Sequence, residues 1–188
     1  MVIKVVGCGG IGSYFAQHID RLVETKQITT ADFFFYDDDV VELKNILYQN
    51  FSTKDIDSNK ADALSMRYFN ITFRNKRLSI DDLSGDLSIL CADNNKIRKE
   101  AWKNWIDNKI PFIDARANGR AVGIFSNETP NYEDTLSKDD TSSSCQNPFQ
   151  IAKKEIEFGN VVIAAILAQV TLNYLRLKTL PVDVTINI

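Results

Sequence analysis

The sequence predicts an α/β fold with a mixed, mainly parallel sheet and helices on both faces. Three observations carry this reading. An apolar run, Val2-Ile3-Lys4-Val5-Val6, passes directly into Gly7-Cys8-Gly9-Gly10-Ile11-Gly12. From Gly10 to Glu24 the apolar residues Ile11, Phe15, Ile19 and Leu22 recur at helical spacing, and a second apolar run, Phe33 to Tyr36, stops at Asp37. The order is strand, glycine turn, helix, strand, acid, which is what a βαβ nucleotide unit requires. Glycines allow a tight turn and close backbone approach, a helix N-terminus offers unpaired N–H groups to phosphate, and a carboxylate ending the second strand accepts ribose hydroxyl hydrogens. Gly7, Gly9, Gly10, Gly12 and Asp37 are therefore candidate nucleotide-binding residues.

The remaining elements follow in order. Residues 58 to 69 predict a helix capped by Ser58 with Ala61, Leu64 and Tyr68 inward, and Ile71 to Phe73 a short strand. Leu87 to Cys91 reads as a buried strand, and Asn95 to Asn108 as a helix packing Trp102, Trp105 and Ile106 on the sheet. Pro111 to Ala115 and Ala121 to Phe125 are strands joined at Asn118-Gly119, a turn that makes the sheet mixed. Residues 126 to 147 are polar and without apolar periodicity, so a long mobile crossover-type loop is expected. A helical pattern resumes at Pro148 and breaks at Gly159. The segment Val161 to Leu177 is apolar on more than one face, which points to a central or interface helix and to a homodimer. Val182 to Ile188 alternates as an edge strand does.

A chain of 188 residues supports one sizeable core, and residues 1 to 188 are expected to form a single domain. A net charge of −3 provides no basic field of the kind nucleic acids require, so no nucleic-acid partner is expected. Cys8, Cys91 and Cys145 lie far apart with no CxxC pair, which argues against a disulfide framework and a four-thiolate zinc site, and for a cytoplasmic setting. The most apolar later stretch, Val161 to Val170, is shorter than a bilayer span, and no membrane partner is expected. The sole histidine, His18, has no Cys or His at ligand spacing and receives no catalytic role.

Beyond Asp37 the chain continues Asp38-Asp39-Val40-Val41-Glu42-Leu43-Lys44-Asn45-Ile46-Leu47-Tyr48-Gln49-Asn50-Phe51, then Asp55-Ile56-Asp57-Ser58-Asn59-Lys60-Ala61, and later Asp93-Asn94-Asn95-Lys96-Ile97-Arg98. Taken alone, the acidic run reads equally well as solvated charge at a strand end, and Lys60 as a surface lysine in a first helical turn. In this order they resemble the ThiF/MoeB/HesA family, prokaryotic relatives of ubiquitin-activating enzymes. Its pattern is a GxGGxG turn, a D-x-D pair, an N-x-x-R-Q-x-F stretch, a lysine within a short turn, and a D-N-x-x-x-R segment after a central strand. The resemblance covers roughly residues 2 to 125 and weakens through the C-terminal helix.

The resemblance implies a Rossmann-like, ATP-dependent adenylyltransferase that activates the C-terminal carboxylate of a small ubiquitin-like or sulfur-carrier protein, with Mg2+. Attack on a phosphorus centre gathers negative charge, so such a site needs cations and amide donors fixed in advance. By position the family pattern gives Asp37 the ribose and Asp39 the orientation of the sugar or metal shell. It gives Gly7 to Gly12 the phosphates, Asn45 and Gln49 polar contacts to the nucleotide, Lys60 phosphate neutralisation, and Asp93 the magnesium. Two departures stand out: Tyr48 replaces the family's arginine, removing a permanent cation, and the paired CxxC zinc ligands of many relatives are absent. Cys145 stands where activating enzymes often carry a thioester-forming cysteine, and two readings apply to it, a nucleophile or a free cysteine without function. Two alternatives to adenylation stay open: an NAD-dependent oxidoreductase using the same βαβ unit, and a catalytically degenerate binding subunit of the same family.

Overall fold

The computed structural model describes residues 1–79, 82–136, 146 and 148–188. Seven strands, β1 (Val2–Val6), β2 (Asp32–Tyr36), β3 (Thr72–Arg74), β4 (Leu87–Leu90), β5 (Phe112–Asn118), β6 (Ala121–Ser126) and β7 (Asp183–Asn187), form one sheet in the order β3-β2-β1-β4-β5-β6-β7. The first five strands in that order run parallel, and β6 and β7 are antiparallel additions. Strand order turns back between β1 and β4, and the crevice outside the carboxyl ends of strands at such a reversal is where open α/β sheets bind ligands.

Burial explains the layering. All four residues of β4, Leu-Ser-Ile-Leu, are buried, as a parallel strand covered on both faces requires. Helices α1 (Gly12–Glu24) and α5 (Gly159–Leu177) cover one face, joining Phe15, Ile19, Ile163 and Leu167 to Ile3, Val5, Phe35 and Ile89. Helix α3 (Asn95–Asn108) covers the other, over Val6, Leu90 and Phe112. There Trp102 meets Phe112 edge-on and Tyr132 at 5.4 Å between ring centroids, so the tryptophan is core packing. Helix α5 runs beyond the apolar stretch that marks it in the sequence: with 19 residues and a mean hydropathy of 1.4 it is long and apolar enough to cross a membrane by length and composition. Its Ile163, Ala164, Leu167, Ala168 and Leu172 nevertheless lie in the core, the place of a central helix in a folded domain.

Three expectations require correction, the first being that Ile106 is 49% exposed and not packed on the sheet. Helix α2 is Lys60–Ser65, shorter than residues 58 to 69, and its cap is Asn59, whose side chain accepts from Asp62 N at 3.1 Å. Ser58 is held out of the helix because its carbonyl accepts from Val41 N beside the Val40–Asn59 bridge. The polar stretch after Ser126 is not loop throughout: Tyr132–Thr135 forms a 3-10 turn with Tyr132 fully buried. Residues 137–145 and 147, which include Cys145, lie outside the described residues. A short helix α4 (Pro148–Lys153) then leads toward α5.

One buried side chain joins the two ends of the fold. Asn160, in the first turn of α5 and 1 % exposed, donates through its amide to Gly10 O at 3.1 Å and to Tyr48 O at 2.5 Å. Its Oδ1 faces Gln146 Nε2 at 3.5 Å, and Gln146 is itself held by the backbone of Glu157. Replacing Asn160 with alanine removes both donors from a site that water does not reach. We expect a loss of roughly 1–3 kcal/mol, read as a lower midpoint with an unchanged slope in urea denaturation; a midpoint equal to wild type contradicts the bridging role.

Candidate functional site

The glycine turn sits at the carboxyl end of β1, where its geometry is enforced by its neighbours. Gly7 has φ of +96°, and a Cβ there would lie 3.1 Å from the backbone of Cys91 and Ala92; a Cβ on Gly12 would fall 1.9 Å from Gly7 O. The turn thus packs on itself and on the end of β4, and only glycine fits at either position. Asp37, just past β2, closes the turn from the side. Its Oδ2 accepts from Cys8 N at 2.6 Å and its Oδ1 from Asp39 N at 2.8 Å.

Around this turn opens a cleft of about 860 Å³ including its solvent mouth. Of the residues singled out from sequence, Gly7, Gly9, Gly10, Asp37, Asp39, Gln49, Lys60 and Asp93 line it. Gly12 does not; it begins α1 behind the turn. Asn45 does not either: its Oδ1 accepts from Glu42 N at 2.8 Å within a capping box that fixes the 3-10 turn Leu43–Leu47, the turn leading to Tyr48 and Gln49. Residues the sequence left unmarked also reach the cleft, namely Asp38, Arg77 and Asn94 on its polar side and Val6, Tyr36, Leu78 and Ile97 on its apolar side. Arg77 follows Arg74-Asn75-Lys76 in a polar stretch, where nothing in the pattern separates it from surface charge.

The electrostatics are concentrated on one buried lysine. Lys60 is 7 % exposed, its Nζ lies 2.9 Å from Asp39 Oδ2, and its backbone N–H donates to Asp39 O. Burial alone would lower its pKa, but the carboxylates of Asp37 and Asp39 outweigh burial and hold it above the ordinary lysine value, so it is a permanent cation. Asp37 titrates above the usual carboxylate range because burial disfavours its charge, against the opposing pull of Lys60 and of the Cys8 and Asp39 N–H groups. Burial likewise pushes the Cys8 thiol up, with Asp37 adding to the effect, so it is no nucleophile. The carboxylates of Asp37, Asp38 and Asp39 each bring an oxygen within 4.8 Å of the others. Asp93 is exposed at the opposite rim, just before α3.

Among the described residues, one polar atom on the cleft wall has no partner: Gln49 Oε1 is buried without a hydrogen bond. An unmade bond of this kind costs about 1–3 kcal/mol unless something fills it, so the atom marks where a ligand donor fits. Tyr48, beside it, is also buried and also lines the cleft. The nearby Arg67 does not substitute for the cation that Tyr48 lacks. Its guanidinium is drawn away by Asn50 O at 2.9 Å and Asp55 at 3.5 Å.

A second cavity, about 1050 Å³ with its mouth, shares Cys91, Ala92 and Asp93 with the first and extends over β5 and β6 to Thr185. Its polar wall is a network on Asp114, which is fully buried. Asp114 accepts from Arg98 Nε at 3.1 Å, Arg116 Nε at 2.7 Å and Tyr132 Oη at 2.8 Å. Burial and then the Asp114 carboxylate push the Tyr132 phenol far above its ordinary range, so it remains a neutral donor.

Comparison with known proteins follows the same lines. The model of the ThiF family matches residues 1–185. Among solved structures, E. coli MccB with AMPCPP and MccA superposes with a TM-score of 0.67 at 19% identity, covering 99% of this chain and 60% of that one. PaaA gives 0.69 at 17% identity, covering 100% and 60%, and E. coli MccB with ATP gives 0.65 at 19%, again covering 100% and 60%. The chain thus spans about 60% of the length of these structures. No curated protein matches in sequence.

The Lys60 contacts carry a signed pH dependence. Because the folded pKa of Asp37 is raised, the stability it contributes is fully present below the unfolded carboxylate value and is lost as pH rises through the folded one. Lys60→Met removes the cation that limits this rise. We expect the stability deficit of Lys60→Met relative to wild type to grow between about pH 3 and pH 7 in urea titrations; a deficit independent of pH contradicts the pairing.

Proposed function

Because the chain belongs to the ThiF family, we propose that it is an ATP-dependent adenylyltransferase. Its acceptor is the C-terminal carboxylate of a small ubiquitin-like or sulfur-carrier protein, or of a peptide. The observation that carries this reading is the wall common to the two cavities: a nucleotide in the first and a chain terminus in the second meet at Cys91, Ala92 and Asp93. The unpaired Gln49 Oε1 and the glycine turn support a nucleotide as occupant of the first cavity, and the structures of E. coli MccB with ATP and with AMPCPP and MccA are consistent with it.

In the reaction a carboxylate oxygen bonds to the α-phosphorus while the bond from that phosphorus to the β-phosphate oxygen breaks, and pyrophosphate leaves with the electron pair. An ionised carboxylate needs no base, so the work of the protein is electrostatic and positional. Lys60 supplies fixed positive charge, already desolvated and oriented by Asp39. The backbone of the glycine turn and the N-terminus of α1 supply amide donors. Asp37 takes the ribose hydroxyls, and Gln49 a donor from the nucleotide. Asp93 is the residue to hold Mg2+, which when bound offsets phosphate charge. Tyr48 offers one hydrogen bond where a relative offers charge, which leaves Lys60 the buried cation of the cleft. In the fuller form of the proposal the Cys145 thiolate then attacks the acyl carbon, AMP departs, and a thioester remains.

Calorimetry with ATP and Mg2+ and ATP–pyrophosphate exchange test the proposal. We expect uptake of ATP, exchange that depends on an added carboxylate partner, and losses of at least about 100-fold in Lys60→Ala and Asp93→Ala. Uptake of NAD in place of ATP, or exchange that survives both substitutions, overturns it. Cys145→Ala is expected to spare exchange and abolish any thioester seen on nonreducing gels.

A further inference from the structure

We infer that the second cavity selects acceptors carrying an acidic side chain within the last few residues before the reacting carboxylate, and that Arg116 is the residue that reads it. The inference rests on the adenylation reading and specifies its substrate class.

Three features of the wall point this way. The first is charge. Two guanidiniums, Arg98 and Arg116, share the single carboxylate of Asp114, and Tyr132 joins as a neutral donor, so this side of the cavity carries one positive charge in excess. The second is rigidity. Arg116 lies 4.3 Å over the Phe125 ring and 5.5 Å from that of Tyr132, and its Nη1 and Nη2 donate to Thr135 O and Thr135 Oγ1 at 2.8 and 2.9 Å. A guanidinium anchored in this way is held in one orientation, and its side chain is 21% exposed, so it meets an anion without ordering itself first. The third is contrast. Apart from the uncharged Asn118, the rest of the β5–β6 wall is small and apolar, made of Ala115, Ala117, Ala121, Val122 and Gly123, and gives an extended segment surface contact without reading its charge. Asp93 sits where this cavity joins the nucleotide cleft, so an acidic side chain finds its complement beside Arg116 and not at the reacting end.

The experiment uses the whole chain with AMPCPP and Mg2+ and fluorescein-labelled octapeptides ending in a free carboxylate. Each peptide carries a single Glu at the second, third or fourth position from that end, or Gln at the same place, and binding is followed by anisotropy. At one position Glu is expected to bind at least about tenfold more tightly than Gln, equivalent to about 1.4 kcal/mol. This preference should shrink as salt is raised, vanish in Arg116→Gln and survive in part in Arg116→Lys. The Glu against Gln comparison on wild type needs no variant, so a misfolded Arg116→Gln leaves the test intact. Equal binding of Glu and Gln peptides at every position, no peptide binding at all, or a preference that persists in Arg116→Gln overturns the inference. AMPCPP uptake is measured separately by calorimetry, so loss of the selectivity proposal is distinguished from loss of the nucleotide site.

Discussion

The cleft around the glycine turn depends on one amide held where water does not reach. Asn160 belongs to the last helix, yet it donates to the carbonyls of Gly10 and Tyr48, two segments that also meet where Asn50 N donates to Ser13 Oγ. The two carbonyls set how far the glycine turn stands from the wall that presents Tyr48 and Gln49. A ligand held between them would be gripped from both sides by backbone whose spacing is set in advance, and this is the condition under which polar contacts discriminate by position. The capping box around Asn45 serves the same end from below, by fixing the turn that feeds into that wall.

Charge is distributed unevenly about the wall that the two cavities share. On the side of the glycine turn one buried cation, Lys60, lies among Asp37, Asp38 and Asp39, so the local excess is negative. On the other side two guanidiniums surround Asp114 and the excess is positive. Removing one partner from a buried set of this kind costs several kcal/mol, because the remaining charges keep their desolvation penalty. The Asp114 cluster is therefore tied to the fold as well as to whatever occupies the cavity.

Legibility in the sequence followed the range of the interactions. The glycine turn, β1, β2, β4 and α3 were readable because their signals are local: a φ that only glycine accepts, a continuous apolar run, a helical period ended at Asn108. The Asp37 to Asp39 run, Lys60 and Asp93 were placed near one another by the order of motifs, and in the fold they line one cleft. The features that escaped are long-range or masked by polar surroundings. Asn160 looks like an ordinary polar residue entering an apolar helix, since its partners are 150 and 112 residues away. Tyr132 is buried inside a stretch of polar residues because Trp102 and Phe112 receive its ring on the α3 face of the sheet. Helix α2 begins late because a bridge to Val40 competes for the segment that precedes it.

The outer rim of the second cavity ends on β7, and the way that strand is fastened bears on how the rim can change. Only Val184 of β7 packs on the core, so alternation of inward and outward faces does little to set its pairing with β6. The fastening comes from the ends: Arg120 and Ile188 exchange hydrogen bonds at one, and Ser126 and Thr129 hold Pro181 and Val182 at the other. A strand pinned at its termini keeps its register when its middle residues are exchanged. Thr185 is thus a place where natural drift or deliberate redesign alters the mouth of the groove without slipping the sheet beneath it.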